Sequence, residues 1–291
     1  MFQYTFDLDN PVPKSSIKIP AQQITDEFGL YRILAGERVR YLTIGCDVFD
    51  EGKMCMPSEL ISNLPMIPAD GEWKQMGVKR SSDQHLIDVS IHNHPLPTIS
   101  TAWHPRYVDA LTLPRKVCRN SEVYETVYKG KPAVMKVINF AWCMFRLERE
   151  SWAYSVVDAY MGKHPDEERV VPRFLAHLTE HGRAIGCLLE MVEGRHATID
   201  DLPVCEALLQ RLHKMGLVHG DINKHNFIID VNNENKGYLL DLEHAVLYNE
   251  KTAELELQEL AGKLEDESGD AKPRCRRVPK FAEFGEVYIE N

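Results

Sequence analysis

His219-Gly220-Asp221-Ile222-Asn223-Lys224-His225-Asn226 is the stretch on which the reading of this 291-residue chain turns. Just before it, residues 202–215 place Cys205, Leu208, Leu209 and Leu212 at i, i+3, i+4 and i+7, with Asp201 as cap and Gly216 as stop, which predicts a helix. Just after it, Phe227 to Asp230 and Tyr238 to Asp241 read as two short strands around Val231-Asn232-Asn233-Glu234-Asn235-Lys236-Gly237, a hairpin. Asp221, Asn226 and Asp241 are thus gathered near strand and helix ends. Phosphoryl transfer needs a carboxylate to orient or deprotonate an acceptor hydroxyl, and oxygen ligands to hold Mg²⁺ against a triphosphate. These three residues have the right chemistry for both tasks. The bland alternative is a polar loop whose side chains only satisfy nearby backbone groups, and the Asp/Asn pair alone does not exclude it.

Residues further upstream weigh against the bland reading. A strand is predicted at 133–138, an amphipathic helix near 142–161 and a second strand at 184–189. In Val134-Met135-Lys136-Val137-Ile138, Lys136 shares a strand face with Val134 and Ile138. Glu150 shares a helix stripe with Ala153, Tyr154 and Val157, at +3, +4 and +7, so it too should point inward. A buried charge without compensation is costly, so one ion pair between the two is the economical solution; a surface-exposed Lys and Glu is the alternative. A last helix is predicted at about 252–264 from Leu257, Leu260 and Leu264.

The first third has another texture. Ten of the sixteen prolines precede residue 115, and alternation is clearest in Ile87-Asp88-Val89-Ser90-Ile91-His92, with a second candidate strand at Val39 to Val48. Residues 1–101 therefore read as a β-rich extension. His92 and His94 lie on one strand face, but a metal site there would need further ligands. Hydrophobic residues make up 44% and charged residues 27%, enough for a true core. The net charge of −10 argues against binding to nucleic acid or an anionic membrane. Lys272, Arg274, Arg276, Arg277 and Lys280 form a local basic tail, more simply read as solvated or docked on an acidic body. The seven cysteines never form Cys-x-x-Cys, which suits a reducing compartment. Without a run of about 18 apolar residues or a basic-then-apolar start, cytosol or nucleus is the expected location.

Together these stretches resemble the protein-kinase-like superfamily, and within it a fungal group related to aminoglycoside and choline-type kinases, over about 102–265. The resemblance is carried by Trp103-His104-Pro105-Arg106-Tyr107-Val108-Asp109, by LAHLTEHGRAIGCLLE at 175–190, by EGRHATIDDL at 193–202 and by LHKMGLVHGDINKHNFII at 212–229. It implies an α+β, two-lobed protein-kinase-like fold: N-lobe 102–192, shortened C-lobe 193–267, β-rich extension 1–101 and basic tail 268–291. It further implies that Lys136 contacts the α- and β-phosphates of ATP, Glu150 holds that lysine, Asp221 is the catalytic base, and Asn226 and Asp241 ligate Mg²⁺. Glu190-Met191-Val192 would be the interlobe hinge, offering backbone groups to adenine.

The sequence also departs from the protein-kinase pattern. Asn120-Ser121-Glu122-Val123-Tyr124 has no glycine where a phosphate-covering loop is expected, and Gly130 reads as the hairpin turn before the lysine strand. Asp241-Leu242-Glu243 keeps the metal-binding carboxylate but loses the small residue after it, and no Ala-Pro-Glu follows. The expected function is an ATP-dependent phosphotransferase acting on an unidentified acceptor, a small-molecule hydroxyl by preference. Two alternatives stay open: a pseudokinase scaffold, or a protein kinase for one specific partner docked through residues 1–101.

Overall fold

The computed structural model describes residues 10–69, 71–81, 86–120, 122–233 and 236–266. The basic tail expected at 268–291 lies outside these residues. Residues 10–97 and 98–266 form two compact units.

The first unit is built on strands β1 (Ile17–Ile24), β2 (Phe28–Ala35), β3 (Arg38–Gly45), β4 (Gln75–Arg80) and β5 (Ile87–His92), paired in that order. Every pairing is antiparallel except β3 with β4. A parallel pair needs a crossover, and here two short helices, α1 (Glu51–Cys55) and α2 (Pro57–Asn63), supply it. They also bury Met54 and Leu60 against Tyr31, Ile33, Leu42, Ile44 and Trp73, closing a core of the unit's own. The alternating stretch 87–92 is the edge strand, with Ile87 and Val89 exposed. The rings of His92 and His94 stack with centroids 5.4 Å apart, and no cluster of metal-ligating side chains includes them among the described residues.

The second unit has the expected α+β, two-lobed architecture. Its first lobe is a sheet of β6 (Tyr107–Asp109), β7 (Val123–Tyr128), β8 (Lys131–Val137), β9 (Phe174–Glu180) and β10 (Arg183–Glu190), in the order β6-β9-β10-β8-β7. Two hairpins of this sheet turn on left-handed pairs, Lys129-Gly130 at φ 50° and 77° and His181-Gly182 at φ 51° and 77°, the backbone that two-residue hairpin turns require. Helix α3 (Met144–Lys163) lies beside the sheet and buries Leu147, Glu150, Ala153, Tyr154, Val157 and Met161 along one stripe. The second lobe holds β11 (Arg195–His196), α4 (Leu202–Lys214), β12 (Leu217–Val218), β13 (Phe227–Ile229), β14 (Gly237–Leu239), β15 (Val246–Leu247) and α5 (Glu250–Glu265). Among the described residues, α4 and α5 are its two α-helices. One apolar cluster runs from Tyr154 and Val157 of α3 through Leu208 and Leu212 of α4 to Leu260 and Leu264 of α5, so the lobes share a core. No helix of the described residues is long and apolar enough to cross a membrane.

Three local details differ from the sequence reading. The second unit starts at Thr98, before the expected 102, because residues 98–103 are fastened to it. Ser100 gives its backbone N–H to the Glu148 carboxylate at 2.9 Å, Thr101 gives its hydroxyl to the Glu148 carbonyl at 2.8 Å, and Ser151 gives its hydroxyl to the Thr101 carbonyl at 2.7 Å. Asp201 does not cap α4 with its side chain. It instead accepts the Thr198 N–H at 2.8 Å and two guanidinium bonds from Arg195, at 2.7 and 2.8 Å, which hold its carboxyl down at about 2. Val123 and Tyr124, expected in the phosphate-covering loop, are the first residues of β7.

Candidate active site

Lys136 is put in place by the period of its strand. On β8, Ala133, Met135 and Val137 face the core under the sheet, so the residues between them point the other way. That face opens on a cleft of 570 Å³ between the lobes of the second unit, lined by Val123, Val134, Leu189, Ile228 and Leu240 as well as by charged groups. Lys136 is nearly buried there, 7% exposed. Its Nζ lies 3.0 Å from Glu150 Oε2, 2.5 Å from Asp241 Oδ1 and 2.9 Å from Glu243 Oε2. The expected ion pair with Glu150 is therefore formed, and the surface-exposed alternative is excluded. Burial opposes the lysine's charge, but Asp241, Glu150 and Glu243 hold its pKa well above the ordinary value.

One ammonium cannot fully compensate three carboxylates. Glu150, on α3, is 1% exposed and its Oε1 has no hydrogen-bond partner among the described residues. Burial, with repulsion from Asp241 and Glu243, pushes its carboxyl up to about 7 against the pull of Lys136. Glu243 behaves oppositely: burial opposes its ionisation, yet His244, Lys136 and Arg146 hold it far below the usual carboxylate range. Arg146 grips it with both Nε, at 2.9 Å to Oε1, and Nη2, at 2.8 Å to Oε2, while its Nη1 reaches Glu122 Oε2 at 2.8 Å. Sequence reasoning missed Arg146, Glu122 and Glu243 as site residues. The only sequence signal was Glu243 itself, a large charged residue where a small one was expected.

The segment around Asp221 is shaped by its neighbours. Gly220 has φ +79°, and a Cβ there would come within 2.4 Å of the His244 carbonyl oxygen. Glycine between His219 and Asp221 is thus a steric requirement of this loop. The His219 ring gives an N–H to the Leu240 carbonyl at 2.8 Å and accepts the Asp221 N–H at 3.3 Å through its other nitrogen. Asn226 lines the cleft and gives its side-chain N–H to the Asp221 carbonyl at 2.8 Å, and its Oδ1 accepts no hydrogen bond from the described residues. The backbone carbonyl of Asn226 accepts from Leu240, the residue before Asp241, at 2.8 Å. Asp241 lines the same cleft, in a left-handed conformation at φ 63°, ψ 67°. The Asp221 carboxylate is half-buried and accepts no hydrogen bond from the described residues, but it is not among the groups that line the cleft.

Glu256 is a further residue that sequence reasoning passed over. Ala253, Glu256, Leu260 and Leu264 form the buried stripe of α5, so a carboxylate on an apolar face was the signal. It accepts the N–H of Gly220 at 2.7 Å, the N–H of His219 at 3.2 Å and the Nε2–H of His213 at 2.8 Å. Burial opposes its charge, but these three donors hold its pKa below the ordinary value. Glu256→Gln is expected to cost about 1.5–3 kcal/mol, the range for hydrogen bonds to a charged group. A depressed folded pKa means stability that is present above the unfolded value of 4.5 and is lost as pH falls through the folded one. The gap between parent and variant in urea melts should therefore be full at pH 7 and close progressively below pH 4.5.

The proposed hinge follows β10. The Glu190 N–H is already given to the Arg173 carbonyl at 2.9 Å, and its carboxylate accepts the Arg173 N–H at 3.3 Å. Met191 and Val192, past the strand end, also line the cleft. The described residues of the loop, 119, 120, 122 and 123, have their N–H groups engaged within it. Asn120 Oδ1 accepts the N–H groups of Glu122 and Val123, each at 2.9 Å, and the N–H groups of Arg119 and Asn120 go to the Val123 carbonyl at 2.9 and 3.4 Å.

The sequence pattern of the lipopolysaccharide kinase (Kdo/WaaP) family matches residues 192–272, the part of the chain that carries Asp221, Asn226 and Asp241. Similarity to the kinase-like superfamily thus stands on sequence beside the site's geometry. Among solved structures, vaccinia related kinase 3 aligns with a TM-score of 0.37 at 15% identity, covering 53% of this chain and 53% of that chain. The chain thus spans about half the length of that kinase. No curated protein matches the chain.

Proposed function

We propose that the chain is an ATP-dependent phosphotransferase whose acceptor is a small-molecule hydroxyl. The observation that carries the proposal is Lys136, held inside a cleft by Glu150 from α3 and by Asp241 from the end of the Asp221 hairpin, 105 residues away in sequence. A buried ammonium shared between those two elements is the arrangement that phosphate positioning requires. The match to a kinase family over the segment with Asp221, Asn226 and Asp241 supports it.

In this reading Lys136 takes the α- and β-phosphates and Glu150 fixes the lysine. Asn226 and Asp241 hold Mg²⁺. The donors suit that ion: a carboxylate 35% exposed and an amide whose nitrogen is already engaged, so that its oxygen is the group on offer. Bound metal would supply charge neutralisation for the triphosphate. Adenine lies among Val134, Leu189, Ile228 and Leu240, with backbone contacts from Met191 and Val192; the Glu190 N–H is committed elsewhere. Asp221 receives the acceptor proton. The aminoglycoside- and choline-type resemblance favours a small acceptor over a peptide.

The test is a thermal melt with and without ATP and Mg²⁺, followed by transfer of labelled γ-phosphate. Nucleotide at about 100 times its Kd stabilises by about 2.7 kcal/mol, so the melting temperature should rise only when both are present, and label should reach small hydroxyl compounds. Label on protein alone would favour a docked-partner protein kinase. Binding without transfer would favour the scaffold, and no shift at all would sink the nucleotide site.

A further inference from the structure

A phosphate-covering loop ordinarily works by turning backbone N–H groups onto the polyphosphate, and here those of Arg119, Asn120, Glu122 and Val123 are already spent on Asn120 Oδ1 and the Val123 carbonyl. With these four N–H groups engaged, a polyphosphate in this cleft needs donors from side chains. Lys136 is one, but three carboxylates already share it. Arg146 is the other cation on the cleft wall with little exposure, 18%, and it cannot lose its charge.

The manner in which Arg146 is held is informative. Glu243 takes Nε and Nη2 together, so the guanidinium plane is fixed from behind, and Nη1 is left for Glu122, a carboxylate on the loop itself. A guanidinium suits carboxylate and phosphate oxygens alike, in the same planar geometry. The local charge count points the same way: four carboxylates, Glu122, Glu150, Asp241 and Glu243, face the two cations Lys136 and Arg146, with the His244 ring 3.4 Å from Glu243. Of the four, Glu122 is the one on the loop, and it does not touch Lys136.

We propose that Arg146 is a phosphate-binding residue of the nucleotide site, and that the Glu122 carboxylate is the internal anion which the polyphosphate displaces from it. The proposal rests on the reading of the cleft as a nucleotide site. It explains how the site does without a glycine-rich loop: side-chain exchange at one arginine replaces the lost amide donors, and Glu243, in place of a small residue after Asp241, is the group that holds that arginine still.

The experiment measures Kd for ATP with Mg²⁺ and for adenosine, by calorimetry, on the full chain and on Arg146→Gln and Glu122→Gln. Arg146→Gln should weaken ATP binding by about tenfold or more, the size of one charge-assisted contact, and leave adenosine affinity unchanged. Glu122→Gln should tighten ATP binding by about two- to fivefold, because a partly exposed competing ion pair is removed, again without effect on adenosine. That sign is opposite to the one a purely structural latch would give. If Arg146→Gln does not fold, Glu122→Gln decides alone, since its amide oxygen can still accept from Arg146. Unchanged ATP affinity in Arg146→Gln, or weakened or unchanged affinity in Glu122→Gln, overturns the proposal and leaves the nucleotide site standing. An unaltered chain that binds neither ligand overturns the nucleotide site and the proposal with it.

Discussion

Asp221→Asn is expected to lower turnover by about two orders of magnitude or more and to leave ATP affinity within a few-fold of the parent. The amide fills the same space, and the bonds that shape the loop do not use the carboxylate. Glu256 holds the N–H groups of His219 and Gly220, while Asn226 and Asn223 hold the Asp221 carbonyl. What the substitution removes is a proton acceptor with no competing hydrogen bond among the described residues. Measured on one preparation, kcat for phosphoryl transfer should fall while the calorimetric Kd for ATP and the melting temperature stay near the parent values. Undiminished turnover would take Asp221 out of the mechanism.

Lys136→Met is expected to destabilise the second unit by about 3–5 kcal/mol, the usual result of leaving buried countercharges unpaired. Glu150 is almost wholly enclosed, and Asp241 and Glu243 would repel it without the ammonium among them. The nucleotide-dependent rise in melting temperature should vanish as well. The double variant Lys136→Met with Glu150→Gln separates the two effects. It removes the stranded charge and should recover part of the lost stability in urea melts, but none of the nucleotide binding. Recovery of neither would mean that Lys136 acts through packing instead of charge.

Periodicity made the large elements of the second unit legible. The stripes of α3, α4 and α5 and the apolar runs of β8 and β10 extend over enough residues to be read without a partner. The pairing of Lys136 with Glu150 could also be read, because two charges stood on faces that were otherwise apolar. Arg146 and Glu122 offered no such contrast. Each is an ordinary charged residue in a polar stretch, and their meeting depends on contacts 24 and 97 residues apart in the chain. Asp201 does stand at the N-cap position of α4, as read, but its carboxylate is drawn away from the helix by Arg195, a partner the helix-start signal did not reveal. In the first unit, α1 and α2 were missed because five and seven residues are too few to establish a period.

The reach of α5 back to the His219-Gly220 backbone has a bearing on when the protein is finished. Chains emerge from synthesis N-terminus first, so the lysine strand, α3 and the Asp221 loop itself are all made before residue 256. Until then His219 and Gly220 have no carboxylate to receive their N–H groups, and His213 has no acceptor for its ring. The loop that carries Asp221 is therefore closed by one of the last pieces of the described chain to be made, and no nascent chain shorter than this holds the bonds that set it.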